Sequence, residues 1–171
     1  MAKKKEYTEC LTTPFETGIR NFTAIAKYFI YYAPNIDSAQ SVGRIEGDSA
    51  AQLVQLMLDQ TGLLHKSKIL KKIQPKSWAA FELDQSQVDF EKPCMVVDKY
   101  STETDFHALL RHIRNAFAHG YIYVWRKKKG DFVFLVDYDS KKNKVTAKMM
   151  VSMAILEQWK ALIENQIAIG E

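Results

Sequence analysis

The chain has few of the residues on which most cofactor and metal sites depend. Only two of its 171 residues are cysteines, Cys10 and Cys94, and neither has the CxxC spacing of a zinc site or a redox motif. It contains no glycine-rich phosphate loop, no HExxH helix and no GxSxG nucleophile turn. These absences argue against a disulfide scaffold, a zinc hydrolase and the common nucleotide-dependent enzymes. We therefore expect no metal and no cofactor.

Long apolar runs are also missing. No segment approaches the roughly 18 consecutive apolar residues that span a bilayer. The basic residues near the start, within 1–7, are not followed by the apolar stretch of a signal peptide. We expect a cytoplasmic protein that has no membrane partner.

The composition fits one hydrophobic core. With 171 residues, of which 47% are hydrophobic, the chain is long enough for one domain and short for two. We expect a single domain over 1–171, with 1–11 as a flexible basic N-terminus. The 24 Lys and Arg exceed the 20 Asp and Glu and fall in clusters. Such clusters suit an anionic partner such as RNA, although a merely solvated surface is the commoner explanation, for about two such faces in three.

Apolar periodicity and turn residues predict the elements of the chain. In the N-terminal part we predict a first helix that is capped by Thr13, begins at Pro14 and runs to about Tyr32. A loop over 35–47 follows. The next elements are a helix over 49–62 and a basic amphipathic helix over 63–73. The C-terminal part is predicted to hold a helix from a capping box at 102–105 to Gly120, strands at 121–125, 132–136 and 144–148, and a helix over 151–167. These elements predict a mainly α fold, a helical bundle with a small antiparallel hairpin or meander inserted at about 121–148.

Arginine and histidine are concentrated on the helix that ends at Gly120. Two arginines and three of the four histidines of the chain fall between His107 and His119. On an ideal helix of about 100° per residue, His107, Arg111 and Arg114 share a sector away from the apolar stripe. Arginine can hold a phosphate and histidine can move a proton near neutral pH, so no metal is needed. The competing interpretation is coincidence, since solvated arginines and a histidine in a last helical turn are common.

His119 and Arg114 do not share that sector. By the same arithmetic they lie about 140° apart around a continuous helix. Two arrangements would bring them together. Either Gly120 lets the last turn unwind so that His119 swings back, or two copies of the chain each contribute an arginine and a histidine to one cleft. The second arrangement predicts a homodimer with a composite site.

The segment Arg114-Asn115-Ala116-Phe117-Ala118-His119 resembles the RxxxxH signature of the HEPN superfamily (higher eukaryotes and prokaryotes nucleotide-binding). In that superfamily the motif lies at the end of a long core helix of an α-helical bundle. Many members are metal-independent endoribonucleases that act as dimers in toxin–antitoxin, plasmid and anti-phage systems.

The resemblance implies that the protein cleaves RNA by attack of the 2′-hydroxyl on the adjacent phosphate. His119 would serve as general base or acid, Arg114 would brace the phosphate and Asn115 would orient groups by hydrogen bonding. The residues predicted to grip RNA phosphates are Arg111, His107, Lys127 and Lys128.

Tyr121 extends the resemblance. Arg114, His119 and Tyr121 match the Arg-x4-His-x-Tyr form found in HEPN toxins that pair with nucleotidyltransferase antitoxins, in which the tyrosine is adenylylated. The match implies that Tyr121 could be an inactivation switch and that an antitoxin or nucleotidyltransferase could be a partner. The alternative is cross-strand packing, the usual role of a tyrosine that opens an aromatic strand.

Two other classes of function fit the same residues. One is a non-catalytic module that binds RNA or a nucleotide, or that regulates a nucleotidyltransferase. The other is a structural helical domain with a coincidental RxxxxH. The RNA specificity, the antitoxin, the dimer geometry and the context, defence or plasmid maintenance, are open at this level. Cleavage that disappears in His119→Ala separates the ribonuclease from both alternatives.

Overall fold

The computed structural model describes residues 5–6, 18–36, 38–84, 87–88, 91–119, 121–127 and 130–170. Its helices are α1 (Phe22–Lys27), which continues as a π-helical turn (Tyr28–Tyr32), α2 (Gly47–Gln60), α3 (Pro75–Ala79), α4 (Asp105–His119) and α5 (Met153–Gly170). Its strands are β1 (Lys5–Glu6), β2 (Ser67–Leu70), β3 (Gln87–Val88), β4 (Cys94–Asp98), β5 (Ile122–Lys127), β6 (Gly130–Asp139) and β7 (Lys144–Ser152). The predicted helix start at Thr13 and Pro14, and most of the predicted flexible N-terminus, lie outside the described residues. The prediction that this helix continues through 18–21 was wrong, because these residues are not helical and Asn21, with φ of 62°, precedes the start of α1 at Phe22.

Five of these strands form one mixed sheet in the order β2-β4-β7-β6-β5. β2 is parallel to β4, and the other neighbouring pairs are antiparallel. Ala147 of β7 pairs with both Val97 and Asp137, so the ends of β4 and β6 are level with each other. α4 leaves the end of β4 and leads to the start of β5, the third strand beyond β4 in the sheet, and it contacts β4 and β6 on the way. β1 and β3 pair separately.

The prediction of a mainly α bundle with a small hairpin was wrong. The predicted meander is present as β5, β6 and β7, but β4 and β2 extend it into a five-stranded mixed sheet within the part of the chain described. The run 94–97 is buried at all four positions, because both faces of β4 are covered. Such a run lacks the alternation of apolar and polar residues that signals a strand.

The predicted basic helix over 63–73 was also wrong. β2 lies in this segment and pairs in parallel with β4. Spaced apolar residues in a short segment are compatible with both a helix and a strand, and pairing with a distant strand decides between them. The remaining boundaries were close: α2, α4, α5 and the hairpin strands lie within a few residues of their predicted positions, while β7 is longer than predicted.

The larger core lies between the helices and one face of the sheet. Phe117 of α4 contacts Phe22 of α1 edge-on, with ring centroids 5.7 Å apart, and is stacked with Phe29 of the π-helical turn at 6.3 Å. The fully buried Trp159 of α5 donates its Nε1–H to the carbonyl oxygen of Met57 at 3.0 Å. The two contacts of Phe117 fix the C-terminal half of α4 against α1 and the π-helical turn, and the Trp159 bond joins α5 to α2.

The opposite face of the sheet is covered by α3 and the turn that follows it. Leu83 packs there with Cys94 and Phe134. Lys148 of β7 donates to the carbonyl oxygen of Leu83 at 2.5 Å, and its ammonium lies 5.3 Å from the centre of the Trp78 ring. The sheet is thus a central layer. Within the described ranges no helix is long and apolar enough to cross a bilayer.

Candidate functional site

The three predicted catalytic residues lie on α4, whose own sequence sets its start and its buried face. Thr104 caps the first turn, since its Oγ1 accepts from the N–H of His107 at 3.1 Å and its carbonyl oxygen accepts from the N–H of Ala108 at 3.0 Å. An apolar stripe then faces the core. Its fully buried members include Phe106, Leu109, Leu110, Ile113 and Phe117.

Arg111 is neutralised by carboxylates. Its Nε and Nη2 donate to the two carboxylate oxygens of Glu103 at 2.7 and 2.9 Å, a bidentate ion pair. Its Nη2 lies 3.4 Å from Oδ1 of Asp98, and its guanidinium lies 4.4 Å from the centre of the Tyr100 ring. Burial alone would lower the pKa of Arg111, but the hydrogen bonds and charge of Glu103 outweigh burial and raise that pKa. The charge that was predicted to bind RNA phosphate is therefore already compensated within the chain.

His112 is fully buried and hydrogen-bonded at both ring nitrogens. Nδ1 lies 2.7 Å from Oδ2 of Asp137, and Nε2 lies 2.7 Å from the carbonyl oxygen of Asp98 and 3.1 Å from its Oδ1. Ionised carboxylates and carbonyl oxygens only accept hydrogen bonds, so both nitrogens must donate and the ring is an imidazolium. Burial would lower the pKa of His112, but the hydrogen bonds of Asp137 and Asp98 raise it. Geometry and electrostatics thus agree on a buried cation.

The two carboxylates beside His112 are held in the ionised form. Burial would raise the pKa of Asp98, but the hydrogen bond and charge of His112, together with those of Arg111, lower it. The pKa of Asp137 is likewise lowered, mainly by His112, against the effect of burial. Lys144 of β7 adds a further positive charge, with its Nζ 3.6 Å from Oδ2 of Asp98. Residues from β4, α4, β6 and β7 therefore share one charge-balanced network.

Asn115 connects that network to Arg114. Its Nδ2 donates to Oδ2 of Asp137 at 3.1 Å, and its Oδ1 accepts from Nη1 of Arg114 at 3.2 Å. The Nε–H of Arg114 is buried without a hydrogen-bond partner among the described residues. No carboxylate within this part of the chain forms an ion pair with Arg114. Its only described polar contact is thus a neutral amide.

His119 occupies the last position of α4 and is exposed. It forms no hydrogen bond or ion pair with any residue that the structure describes. α4 remains helical through His119, so Arg114 and His119 diverge around the axis as the ideal helix predicts. The last turn of α4 is therefore not unwound up to His119. Gly120, which was predicted to end the helix, lies outside the described residues.

The other predicted residues are dispersed. His107 lies about 18 Å along the axis from His119, where it lines a polar pocket of about 490 Å³ together with Asn35 and Arg44. Tyr121 is half-buried, and its ring packs edge-on against Tyr138 at 6.1 Å, a contact typical of strand packing. Lys127 ends β5, but its side chain and the whole of Lys128 lie outside the described residues.

Sequence reasoning assigned no role to four residues of the network: His112, Asp98, Asp137 and Glu103. His112 carried a usable signal, because it lies between Leu109 and Ala116 on the buried face of the helix, and a histidine in a core must have hydrogen-bond partners. The carboxylates of Asp98 and Asp137 carried no such signal, since β4 and β6 bring them to α4 only in the folded chain. Among the described residues no group of three His, Cys, Asp or Glu side chains is arranged to hold a metal ion.

Comparison with known proteins gives one match. The family described as HEPN pEK499 p136 matches residues 52–167, a range that includes the whole Arg114–His119 motif and covers more than half of the chain. No curated protein and no solved structure matches the chain. The chain therefore belongs to the HEPN pEK499 p136 family, and with it to the HEPN superfamily.

Proposed function

We propose that the protein is a metal-independent endoribonuclease in which Arg114 and His119 act on the RNA phosphate. The observation that carries this proposal is the state of Arg114: its Nε–H is buried and unsatisfied, and its charge has no carboxylate partner among the described residues. An unsatisfied buried donor on a cation is costly unless an anion completes it. Arg114 as a whole is half-buried, so a phosphate can reach its guanidinium and compensate the charge.

The position of Arg114 near a helix C-terminus strengthens this reasoning. The C-terminal end of a helix carries a partial negative charge, which by itself repels a phosphate. A phosphate bound beside His119 therefore depends on a strong local cation. Arg114 is the arginine of α4 that is available, because Arg111 is paired with Glu103.

The chemistry follows from the two side chains. His119 removes the proton from a ribose 2′-hydroxyl, the 2′-oxygen forms a bond to the adjacent phosphorus, and the bond from phosphorus to the 5′-oxygen breaks. The leaving 5′-oxygen takes up a proton from the protonated His119 or from water, which gives a 2′,3′-cyclic phosphate and a 5′-hydroxyl. Arg114 stabilises the charge that develops on the phosphoryl oxygens, and Asn115 holds the arginine side chain.

The divergence of Arg114 and His119 on one helix supports, as part of this proposal, a site formed by two chains. In a two-fold dimer, α4 of one copy can present its His119 beside Arg114 of the other. A homodimer is thus part of the proposal. The same end of α4 is where an antitoxin or a nucleotidyltransferase would act, whether by covering the site or by modifying Tyr121.

Cleavage of a fluorogenic RNA in the presence of EDTA tests the proposal, with the all-deoxy oligonucleotide as the substrate control. We expect cleavage of RNA only, and a loss of about 10²- to 10⁴-fold in His119→Ala, the usual range for removal of a general acid–base group. His65→Ala is the matched variant, since His65 is exposed in the turn before β2, at the far edge of the sheet. Intact RNA with the pure dimer, or full activity in His119→Ala, would overturn the proposal.

Mixing two inactive variants tests the composite site. Dimers that combine Arg114→Ala with His119→Ala retain one intact arginine and one intact histidine in the shared cleft. We expect the mixture to cleave RNA at least about 10-fold faster than either variant alone, because each residue contributes more than that to the rate. A mixture that stays inactive while mixed dimers are present contradicts the composite site.

The unpaired Arg114 also fits the second candidate, a module that binds RNA or a nucleotide without cleaving it. A nucleotide phosphate can compensate the charge of the half-buried guanidinium in the same way as an RNA phosphate. Fluorescence anisotropy with labelled RNA and with a labelled nucleotide separates the two candidates. Binding that Arg114→Ala abolishes, with the RNA left intact, supports the binding module and contradicts the ribonuclease.

A further inference from the structure

Asp137 has two donors on a single oxygen. Its Oδ2 accepts from Nδ1 of His112 at 2.7 Å and from Nδ2 of Asn115 at 3.1 Å. Asp137 is only 3% exposed and lies on β6, far from α4 in the sequence. A buried carboxylate with two such donors has a fixed position.

This contact determines which way the amide of Asn115 points. A carboxylate accepts hydrogen bonds and cannot donate them, so the Nδ2 end of the amide must face Asp137. The Oδ1 end then faces the opposite way and accepts from Nη1 of Arg114 at 3.2 Å. The flipped amide would place oxygen against carboxylate and an NH2 group against guanidinium, and both contacts are repulsive.

His112 keeps Asp137 ionised, and the ionised carboxylate is the form that orients the amide of Asn115. Without a cation beside it, a buried carboxylate would take up a proton and could then donate a hydrogen bond instead of accepting two. The imidazolium of His112, whose other nitrogen is held by the carbonyl oxygen of Asp98, prevents this. The groups that face His112 and Asp137 from neighbouring elements are Arg111, Asn115, Asp98 and, through Asp98, Lys144.

We propose that Asp137 is a positioning residue for the site: held by His112, it orients the amide of Asn115, which in turn sets the guanidinium of Arg114 for a phosphate. The proposal rests on the ribonuclease function for its kinetic consequences. Its geometric consequence, a restrained Arg114, holds with or without cleavage. Asp137 does not contact the phosphate and acts through Asn115 alone.

A double-mutant cycle on RNA cleavage tests the kinetic part. We expect Asp137→Asn and Asn115→Ala each to lower kcat by about 10-fold with KM nearly unchanged, since the arginine acts on charge that develops in the transition state. The double variant should lose no more than either single variant, because both changes break the same connection. If the losses in kcat multiply instead, Asp137 does not act through Asn115 and the proposal is overturned.

Thr146→Val is the matched structural control. The buried Oγ1 of Thr146 donates to the main-chain carbonyl oxygen of Asp137 at 3.2 Å, so this variant removes a hydrogen bond to the same residue without touching its carboxylate. We expect it to lower the free energy of unfolding and to leave kcat unchanged. A fall in kcat equal to that of Asp137→Asn would mean that loss of packing alone explains both variants, which contradicts the proposal.

Hydrogen exchange provides a measurement that does not depend on activity. In 15N-labelled wild-type protein we expect the Nε–H of Arg114 and the side-chain amide of Asn115 to exchange with solvent more slowly than those of an exposed side chain such as Arg44. In Asp137→Asn the exchange of the Arg114 Nε–H should accelerate by about 10-fold as its restraint is lost. Free exchange of both groups in the wild type overturns the proposal even if no variant of Asp137 folds.

The two proposals fail in different ways. If the wild type does not cleave RNA but Arg114 shows restrained exchange that depends on Asp137, the positioning role stands and the ribonuclease is rejected. If Arg114→Ala abolishes cleavage while Asp137→Asn keeps the wild-type kcat and exchange rates, the ribonuclease stands and the positioning role is rejected.

Discussion

The two arginines of α4 lie less than one turn apart and have opposite surroundings. Arg111 is bound by both oxygens of Glu103, contacts Asp98 and stacks on Tyr100. Arg114 has one neutral amide and a buried N–H without a described partner. The same residue type on the same helix thus has its charge compensated at one position and uncompensated at the other.

This difference shows how the fold pairs one arginine, Arg111, within the protein and leaves another, Arg114, for the proposed ligand. The partners of Arg111 come from the end of β4 and the loop after it, and their cost of burial is offset by mutual attraction. Arg114 forms no ion pair with either of those carboxylates, and its described partner is Asn115. Whether each arginine is paired depends on which residues the sheet and its loops place beside it. The spacing of the two arginines along the helix does not predict which of them is paired.

Substitution of each arginine by alanine is the sharpest test of whether Arg111 is structural and Arg114 functional. Arg44→Ala, at an exposed arginine, is the control. Arg114→Ala should lower kcat/KM by about 10²- to 10³-fold, or about 3–4 kcal/mol of transition-state stabilisation, with little change in stability. Arg111→Ala should instead lower the free energy of unfolding by about 3 kcal/mol, because it leaves buried Glu103 without its cation. Urea unfolding and RNA cleavage measure both effects, and the comparison fails if Arg111→Ala removes activity from protein that is fully folded.

The pH dependence of stability tests the buried network. The pKa of His112 is raised in the folded protein, so its contribution is complete below about pH 6.5, the ordinary pKa of histidine, and is lost as the pH rises through the folded value. The pKa values of Asp98 and Asp137 are lowered, so their contribution is complete above about pH 4 and is lost as the pH falls through the folded values.

Urea unfolding between about pH 4 and 9 measures the part of this dependence that comes from His112. We expect stability to decline on the alkaline side in the wild type and in His65→Gln, whose histidine is exposed. His112→Gln should be less stable at pH 6 and should lack the alkaline decline. An alkaline decline of equal size in His112→Gln would show that another group causes it.

His107 provides the smallest expected effect. It lies about 18 Å along the axis from His119, beyond the screening length of about 10 Å in 0.1 M salt. His107→Gln should therefore change kcat by less than about twofold, in contrast to His119→Ala. A loss of RNA affinity in the same variant would show instead that the polar pocket near Asn35 is part of the RNA path.

Local signals predicted the helix that carries the motif, and distant pairing decided the rest of the fold. The bounds of α4 could be predicted to within a few residues because its apolar stripe and motif lie within one short segment, although the cap is Thr104 and not the first residue of the predicted box at 102–105. The strands β2 and β4 could not be predicted in the same way. They are defined by their pairing with each other and with β7, which the local sequence does not show. The five-stranded sheet is a property of contacts between residues far apart in the sequence.

The candidate site divides in the same way. Arg114, Asn115 and His119 are adjacent in sequence and were identified from it. Asp98 and Asp137 reach His112 only through the alignment of β4 with β6, which no periodicity reveals. The prediction that Arg111 grips phosphate remains untested, and its bond to Glu103 shows why spacing on a helical wheel overestimates the number of available cations.

The order of the elements along the chain has a consequence for synthesis. α4 is made before β6 and β7, so a nascent chain that ends at residue 120 contains the whole motif without Asp137 and without the strand that pairs with β4. Ribosomes add about 5–20 residues per second, and the last strands of the sheet must then emerge and pair. If the protein cuts RNA as proposed, a nascent chain that ends before β6 carries the motif but lacks the strands and the Asp137 carboxylate that position it.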